Sequence, residues 1–125
     1  MVEQTSGSPG GGAYEWLRRG LALLESGDAA AAAVLLERAS REQPGSASVL
    51  EALGRAQYQA GRVHDAASTF EALVSASPDA DYAHFGLGLS LTRLDRLPEA
   101  VEHLALANAM RPDCLLYTSP SPRDS

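Results

Sequence analysis

Three histidines are the side chains of this chain best suited to acid–base or metal chemistry, and their spacing decides whether they can act together. A metal site on a helix brings two ligands to one face four residues apart. Only His103, with Glu99 one turn before it, has that spacing; His64 has just its neighbour Asp65, and His84 has neither. We interpret His103 and Glu99 as a surface pair. The sequence therefore predicts no metal site and no cofactor.

Nucleophile and phosphate-binding motifs are also missing from the sequence. No serine lies in a nucleophile-elbow motif. The glycines at 10–12 follow no predicted strand and precede no Lys-Ser or Lys-Thr pair, so they do not form a phosphate-binding loop. No pair of acidic residues accompanies a histidine in a pattern suited to general acid–base catalysis. We therefore expect no catalytic residue and a protein that is not an enzyme.

Charge and hydropathy narrow the classes of partner. The 125 residues, enough for one domain, carry a net charge of −6, and all ten basic residues are Arg. Nucleic acids and anionic membranes require a basic surface, so neither is expected as a partner. No run of 18 apolar residues could span a membrane, and residues 1–12 lack the features of a signal peptide. We expect a cytoplasmic protein, and the Arg-, Ala- and Gly-rich composition is typical of a GC-rich bacterial genome.

A repeat of 34 residues organises the chain and must position any functional side chain. Three columns keep this step: Pro44, Pro78 and Pro112; Gly20, Gly54 and Gly88; Ala32, Ala66 and Ala100. A fixed period of this length is typical of helical hairpins stacked side by side. The sequence therefore predicts three repeats over 13–46, 47–80 and 81–113.

Each repeat is predicted to contain two helices joined by a tight turn. In the first repeat the helices cover Tyr14–Ser26 and about Ala29–Glu42. Gly27 ends the first helix in the left-handed conformation, and Gly61 and Asp95 take its place in the later repeats.

The repeated helical glycines indicate close approach between helices, because glycine inside a helix costs about 1 kcal/mol relative to alanine. We expect each column glycine to face the column alanine of its own repeat. Larger side chains at Leu36, Phe70 and Leu104 would then fill the layer beneath.

These columns resemble the tetratricopeptide repeat, whose motif carries Trp, Leu, Gly and Tyr in its first helix and Ala, Phe, Ala and Pro through its second. The matching residues, repeat by repeat, are Trp16, Gly20, Leu23, Ala32, Leu36, Ala39 and Pro44; Leu50, Leu53, Gly54, Ala66, Phe70 and Pro78; Leu87, Gly88, Leu91, Ala100, Leu104, Ala107 and Pro112. Arg19, Gln57 and His84 depart from the motif. The resemblance covers about 100 of the 125 residues. It implies an all-α solenoid whose first helices line a concave groove that binds a peptide or protein.

The lining of that groove is expected to be apolar at both ends and polar across the middle. A helix with one buried face needs one apolar stripe, whereas the first helix of repeat one carries two. The candidate groove residues are Leu17, Leu21 and Leu24 in repeat one; Glu51, Arg55, Tyr58 and Gln59 in repeat two; Tyr82, Phe85, Leu89 and Arg93 in repeat three. Either Arg55 or Arg93 could bind a carboxylate or a backbone carbonyl of the ligand.

Other interpretations of these residues stay open. Glu51 and Arg55, spaced four apart in the favourable order, can pair with each other. The second leucine stripe of repeat one can be covered by the N-terminal segment, by packing between repeats or by a second copy of the chain. Chaperone-adaptor members of the resembled family bind a C-terminal carboxylate of their ligand with Lys and Asn side chains along the groove. This chain has no Lys, and its single Asn, Asn108, lies in the last helix, so we do not expect it to bind chaperone tails in that way.

The two ends of the chain differ in composition from the repeats. Residues 1–12 are predicted to be a flexible Gly/Ser leader. Residues 114–125 are predicted to be unstructured, and 114–124 resemble the translation of a transposase adapter used in sequencing libraries; a natural Ser/Pro tail is the alternative. On the adapter interpretation the natural protein continues past Asp113.

Two functions are consistent with these patterns. The first is a non-enzymatic interaction scaffold, and the alternative is the N-terminal adaptor segment of a longer enzyme or regulator. Repeat arrays need a polar cap at each end. Because Val101, Leu104, Ala105 and Met110 leave the last helix apolar, we also expect the chain either to be only marginally stable or to self-associate through that helix.

Overall fold

A computed structural model describes residues 9–110 as six α-helices arranged in three antiparallel hairpins. The helices are α1 (Pro9–Glu25), α2 (Ala29–Glu42), α3 (Ala47–Gln59), α4 (Val63–Ala76), α5 (Asp81–Arg93) and α6 (Leu97–Met110). No residue within 9–110 belongs to a strand. The predicted all-α array of three repeats is therefore confirmed. Within the same range no helix is both long and apolar enough to cross a membrane.

The turns inside the hairpins have the predicted backbone geometry. The φ angles of Gly27, Gly61 and Asp95 are 92°, 87° and 66°, all in the left-handed region. The side chain of Asp28 then caps α2 by accepting a hydrogen bond of 3.2 Å from the N–H of Ala31. Local turn chemistry thus fixes where each second helix begins.

The first helix begins earlier than the sequence predicts. Helix α1 starts at Pro9 instead of Tyr14, because proline at the first position of a helix has no N–H to lose and already has a helical φ. Residues 9–12 are therefore helical and do not belong to the predicted leader. The remainder of that leader, 1–8, and the adapter-like tail over 114–125 lie outside the described residues.

Successive helices pack against each other along the chain, and α3 also contacts α1 and α5. The first helices of the three repeats, α1, α3 and α5, consequently lie side by side. The first core cluster joins repeats one and two around Leu36 and Ala33, and the second joins repeats two and three around Phe70, Leu73 and Leu87. Each cluster mixes residues of adjacent repeats, so each repeat buries its apolar surface against its neighbour.

The column glycines do make close contacts, but with a different partner than predicted. A Cβ atom on Gly20 would lie 2.5 Å from Leu36, one on Gly54 would lie 2.7 Å from Phe70, and one on Gly88 would lie 2.6 Å from Leu104. The prediction that the glycine faces the column alanine is wrong for Gly20 and Gly54, where the large side chain one turn further along the second helix lies over the glycine. At Gly88 a Cβ atom would also lie 3.3 Å from the carbonyl oxygen of the column alanine Ala100, although the side chain of Leu104 is closer.

Candidate functional site

A cavity of about 300 Å³ opens between α3 and α5, with α4 behind it. Its lining consists of Glu51, Arg55, Tyr58 and Gln59 from α3, Phe70 from α4, and Tyr82, Phe85, Gly86 and Leu89 from α5. All of these except Phe70 and Gly86 belong to the predicted groove. The structure therefore brings the candidate residues of repeats two and three, with the exception of Arg93, to one concave site.

The floor of this cavity is the ring of Phe70, held between two glycines. A Cβ atom on Gly86 would lie 2.5 Å from Cε1 of Phe70, and one on Gly54 would lie 2.7 Å from Cζ. Only 3% of Phe70 is exposed. Because neither glycine has a side chain, the ring can lie directly against the backbones of α3 and α5 and leave an apolar surface below the cavity.

The polar wall of the cavity contains a loose ion pair. Nη1 of Arg55 lies 3.8 Å from Oε2 of Glu51, which is beyond hydrogen-bond distance, and both side chains are exposed to solvent. Exposed pairs of this kind contribute less than about 1 kcal/mol. The predicted i, i+4 pairing is present, but it is weak enough for a ligand group to displace Glu51 from the guanidinium.

Arg93 contacts Tyr58, one of the residues that line the cavity. Its guanidinium carbon is 5.2 Å from the centroid of the Tyr58 ring, a cation–π contact between the end of α5 and α3. Arg93 is not among the lining residues. Its contact fixes the position of Tyr58, whereas Arg55 is the guanidinium that faces the cavity.

The predicted leucines of repeat one separate into three environments. Leu24 is 7% exposed and packs in the first core cluster, so its assignment to the groove is wrong: neighbouring helices cover this residue of the stripe. Leu17 is half-buried and lines a smaller cavity of about 260 Å³ beside α3 together with Tyr14. Leu21 is 37% exposed on the surface of α1.

A histidine pair that the sequence did not predict joins α5 to α6. Nδ1 of His84 lies 3.1 Å from Nδ1 of His103, and Nε2 of His84 lies 2.9 Å from the carbonyl oxygen of Pro78. The ring centroids are 5.3 Å apart and the planes differ by 20°. That separation nearly equals the N···N distance plus the two ring radii, so the nitrogens meet head-on in the ring planes and the rings are not stacked face to face.

Glu99 forms its hydrogen bonds with Arg96 and not with His103. Its carboxylate accepts two hydrogen bonds of 2.9 Å from Arg96, and these bonds are the main reason its pKa lies below the usual glutamate range. An electrostatic interaction with His103 lowers the same pKa further, so the predicted pairing of His103 with Glu99 persists in this weaker form. Within residues 9–110 no group of three or more His, Cys, Asp or Glu side chains could hold a metal ion.

Sequence reasoning missed Phe70, Gly86 and Tyr14 as parts of the concave surface. Phe70 shares its repeat position with Leu36 and Leu104, which the sequence predicts to fill the core. The sequence pattern therefore gives no reason to place Phe70 in the groove. The sequence did contain a sign of the role of Gly86. Two glycines two residues apart, Gly86 and Gly88, are unfavourable inside a helix, and their presence indicates that a neighbouring group packs closely against the helix backbone.

Comparisons with known proteins agree with this architecture. A family model for the tetratricopeptide repeat matches residues 17–81 and again 51–113. Superkiller complex protein 3 of Mus musculus is 31% identical over 106 residues, which cover 85% of this chain but 7% of the mouse protein. This chain thus corresponds to a small part of that relative.

Two of the solved structures that are similar to this chain illustrate the shared fold. YrrB, described as a TPR protein with an unusual peptide-binding site, superposes with a TM-score of 0.78 at 21% identity, covering 83% of this chain and 54% of that one. The second TPR domain of Spaghetti (RPAP3), bound to the HSP90 peptide SRMEEVD, superposes with a TM-score of 0.76 at 16% identity, covering 80% and 93% respectively.

Proposed function

Because the chain belongs to the tetratricopeptide repeat family, we propose that it is a non-enzymatic protein-interaction scaffold that binds a peptide or helix along α1, α3 and α5. The observation that carries this proposal is the α3–α5 cavity, with the Phe70 ring as its floor and Arg55 in its wall. The peptide-binding site of YrrB and the HSP90 peptide bound to the TPR domain of Spaghetti (RPAP3) support a peptide ligand for a protein of this fold. The cytoplasmic location and bacterial source stay predictions from the sequence.

The size of the cavity favours one large apolar side chain of a peptide over a whole small molecule. At about 300 Å³ it lies at the lower limit of small-molecule pockets, which range from about 300 to 1,000 Å³. Phe70, Phe85 and Leu89 offer apolar surface to such a side chain. The guanidinium of Arg55 would donate charge-assisted hydrogen bonds to a carboxylate or backbone carbonyl beside it.

The smaller cavity beside α1 extends this surface toward repeat one. Tyr14 is 65% exposed at its edge and Leu17 forms part of its wall. A bound peptide that places one apolar side chain in each cavity would cross α3, whose exposed groove residues include Arg55 and Gln59. This arrangement matches the predicted order of apolar ends and a polar middle.

A random-peptide phage library displayed against the intact chain tests the proposal. We expect selected peptides to share a large apolar residue and to lose at least about tenfold in affinity, or 1.4 kcal/mol, when Leu89→Glu or Arg55→Ala is introduced. Val34→Glu is the matched control, because Val34 is 55% exposed on α2, away from both cavities. Equal loss in all three variants, or no selection of peptides at all, would contradict groove binding.

A second function is favoured by the length of the mouse relative. Because this chain corresponds to 7% of that protein, it can act as the N-terminal adaptor segment of a longer enzyme or regulator. Sequencing the natural gene beyond codon 113 decides between the two. A stop codon within a few dozen codons would contradict the adaptor proposal, and an open frame encoding a catalytic domain would support it.

A further inference from the structure

Four aromatic rings line the cavity between α3 and α5. Tyr58 comes from α3, Phe70 from α4, and Tyr82 and Phe85 from α5, and with Leu89 they make the surface of the cavity predominantly apolar. Aromatic rings prefer offset or edge-to-face contacts with one another, and such pairs add binding energy beyond the area that they bury. A ring is therefore a better ligand for this cavity than an aliphatic side chain of similar size.

A group of aromatic rings also attracts cations, and two arginines decide between a cation and an uncharged ring. The guanidinium of Arg93 already lies over the Tyr58 ring, with its central carbon 5.2 Å from the ring centroid. Arg55 places a second guanidinium in the lining of the cavity. An incoming cation would be repelled by both guanidinium groups and would compete with the first for Tyr58. The cavity therefore favours an uncharged ring.

The guanidinium of Arg55 is available to an anion beside that ring. Its closest ion pair within residues 9–110 is with Glu51, at 3.8 Å, and both side chains are exposed. By contrast, Arg62 and Arg96 hold carboxylates through hydrogen bonds of 2.8 and 2.9 Å. A charge-assisted hydrogen bond to a carboxylate is roughly twice as strong as a neutral one. A carboxylate of the ligand therefore suits Arg55 better than a backbone carbonyl.

Resting on the proposed peptide-binding function, we infer that this cavity recognises an aromatic residue with an acidic residue next to it in the partner peptide. The aromatic side chain packs against Phe70 and Phe85, and the acidic side chain replaces Glu51 at the guanidinium of Arg55. Phe70 is only 3% exposed and forms the floor, whereas Phe85 is half-buried and presents more of its ring. Phe85 thus selects the ring, and Arg55 selects the carboxylate.

Three capped tripeptides separate these two preferences in calorimetric titrations of the intact chain. Acetyl-Glu-Trp-Glu-amide has both groups, acetyl-Glu-Leu-Glu-amide lacks the ring, and acetyl-Gln-Trp-Gln-amide lacks the carboxylates. Salt at about 0.15 M, with a Debye length of about 8 Å, screens the net charge of −6 on the chain. We expect the first peptide to bind about fivefold tighter than the second, because of the aromatic pairs, and about threefold tighter than the third, because of an exposed charge pair.

Substitutions assign each preference to its residue. Arg55→Ala should remove the preference for Glu over Gln and keep that for Trp over Leu. Arg41→Ala is the matched control, because Arg41 is an exposed arginine on α2 that does not line this cavity. Phe85→Leu should reduce the preference for Trp over Leu and keep that for Glu over Gln. Circular dichroism should be unchanged in all three variants.

The inference is overturned if the Trp peptide does not bind, if it binds no tighter than the Leu or Gln peptide, or if the preference for Glu survives Arg55→Ala. Tighter binding of acetyl-Gln-Lys-Gln-amide would overturn it too and would indicate a cation site. The proposed function fails separately. A phage library that yields groove-binding peptides with only aliphatic residues would leave that function standing and overturn this inference, whereas a library that yields no peptide contradicts both.

Discussion

The ring of Phe70 excludes any side chain from position 54, because a Cβ atom on Gly54 would lie 2.7 Å from its Cζ atom. Gly86 receives the same ring from the neighbouring repeat at 2.5 Å. One aromatic side chain from α4 thus sets the spacing of α3 and α5 and forms the floor of the cavity between them. Stability and the shape of the candidate site depend on the same contact.

Gly86→Ala should destabilise the fold although alanine is the better helix former. Overpacking a core typically costs about 1–3 kcal/mol, which outweighs the gain of about 1 kcal/mol in helix propensity. Urea denaturation should therefore show a lower free energy of unfolding. Gly45→Ala is the control, since a Cβ atom there meets nothing within 4 Å.

The same substitution in a Phe70→Ala background isolates the contact. Without the ring, Gly86→Ala should be neutral or stabilising, so that the two substitutions are strongly non-additive. An equal effect of Gly86→Ala in both backgrounds would show that the ring is not the cause.

Features set by local chemistry could be predicted from the sequence, and features set by the stagger of two helices could not. The left-handed turn at Asp95 follows from its place in the column of Gly27 and Gly61. The partner of Gly54 depends on how far α4 is shifted along α3, and a period of 34 residues has no information about that shift. For this reason the sequence predicts Ala66 as the contact of Gly54, whereas the structure has Phe70 there.

The groove illustrates a second limit. Two apolar stripes on one helix show that two of its faces are apolar, but they do not show which face a neighbouring helix covers. The sequence therefore predicts Leu24 in the groove, whereas the structure buries it in the core. His84 and His103 are 19 residues apart, and no local pattern links them. The sequence predicts the lining of the α3–α5 cavity more completely. The repeat places equivalent positions of neighbouring first helices on the same face of the array, so their side chains lie next to each other.

A buried hydrogen bond between Thr69 and Gln57 should be replaceable only as a pair. The Thr69 hydroxyl donates to Oε1 of Gln57 at 2.6 Å, and the residues are 9% and 5% exposed. Thr69→Val leaves the amide oxygen without its donor, which should cost about 1–3 kcal/mol in chemical denaturation. Gln57→Leu combined with Thr69→Val removes both polar groups and should recover most of that loss; a double variant less stable than Thr69→Val alone would contradict this.

Glu99 should make the fold sensitive to acid in a defined direction. Hydrogen bonds from Arg96 lower the pKa of Glu99 in the folded chain. A carboxyl whose folded pKa is below its unfolded one stabilises the fold above the unfolded value, and this contribution is lost as the pH falls through the folded value. NMR of the Glu99 carboxyl carbon should give a pKa below the usual glutamate range, and Arg96→Gln should raise that pKa toward the usual range. No change on Arg96→Gln would exclude the guanidinium as the cause.

The contacts of His84 predict the tautomer of both histidines in the α5–α6 pair. The carbonyl oxygen of Pro78 can only accept a hydrogen bond, so Nε2 of His84 must carry the hydrogen. In a neutral His84 ring, Nδ1 then has no hydrogen and accepts the hydrogen bond that Nδ1–H of His103 donates. Nitrogen-15 NMR should show His84 protonated on Nε2 and His103 protonated on Nδ1. His103→Phe removes the donor and should lower the free energy of unfolding by about 1 kcal/mol or more, since Nδ1 of a residue that is only 5% exposed loses its partner. A His84 ring found protonated on Nδ1, or a His103→Phe variant as stable as His64→Phe, would show that this hydrogen bond does not join the two helices.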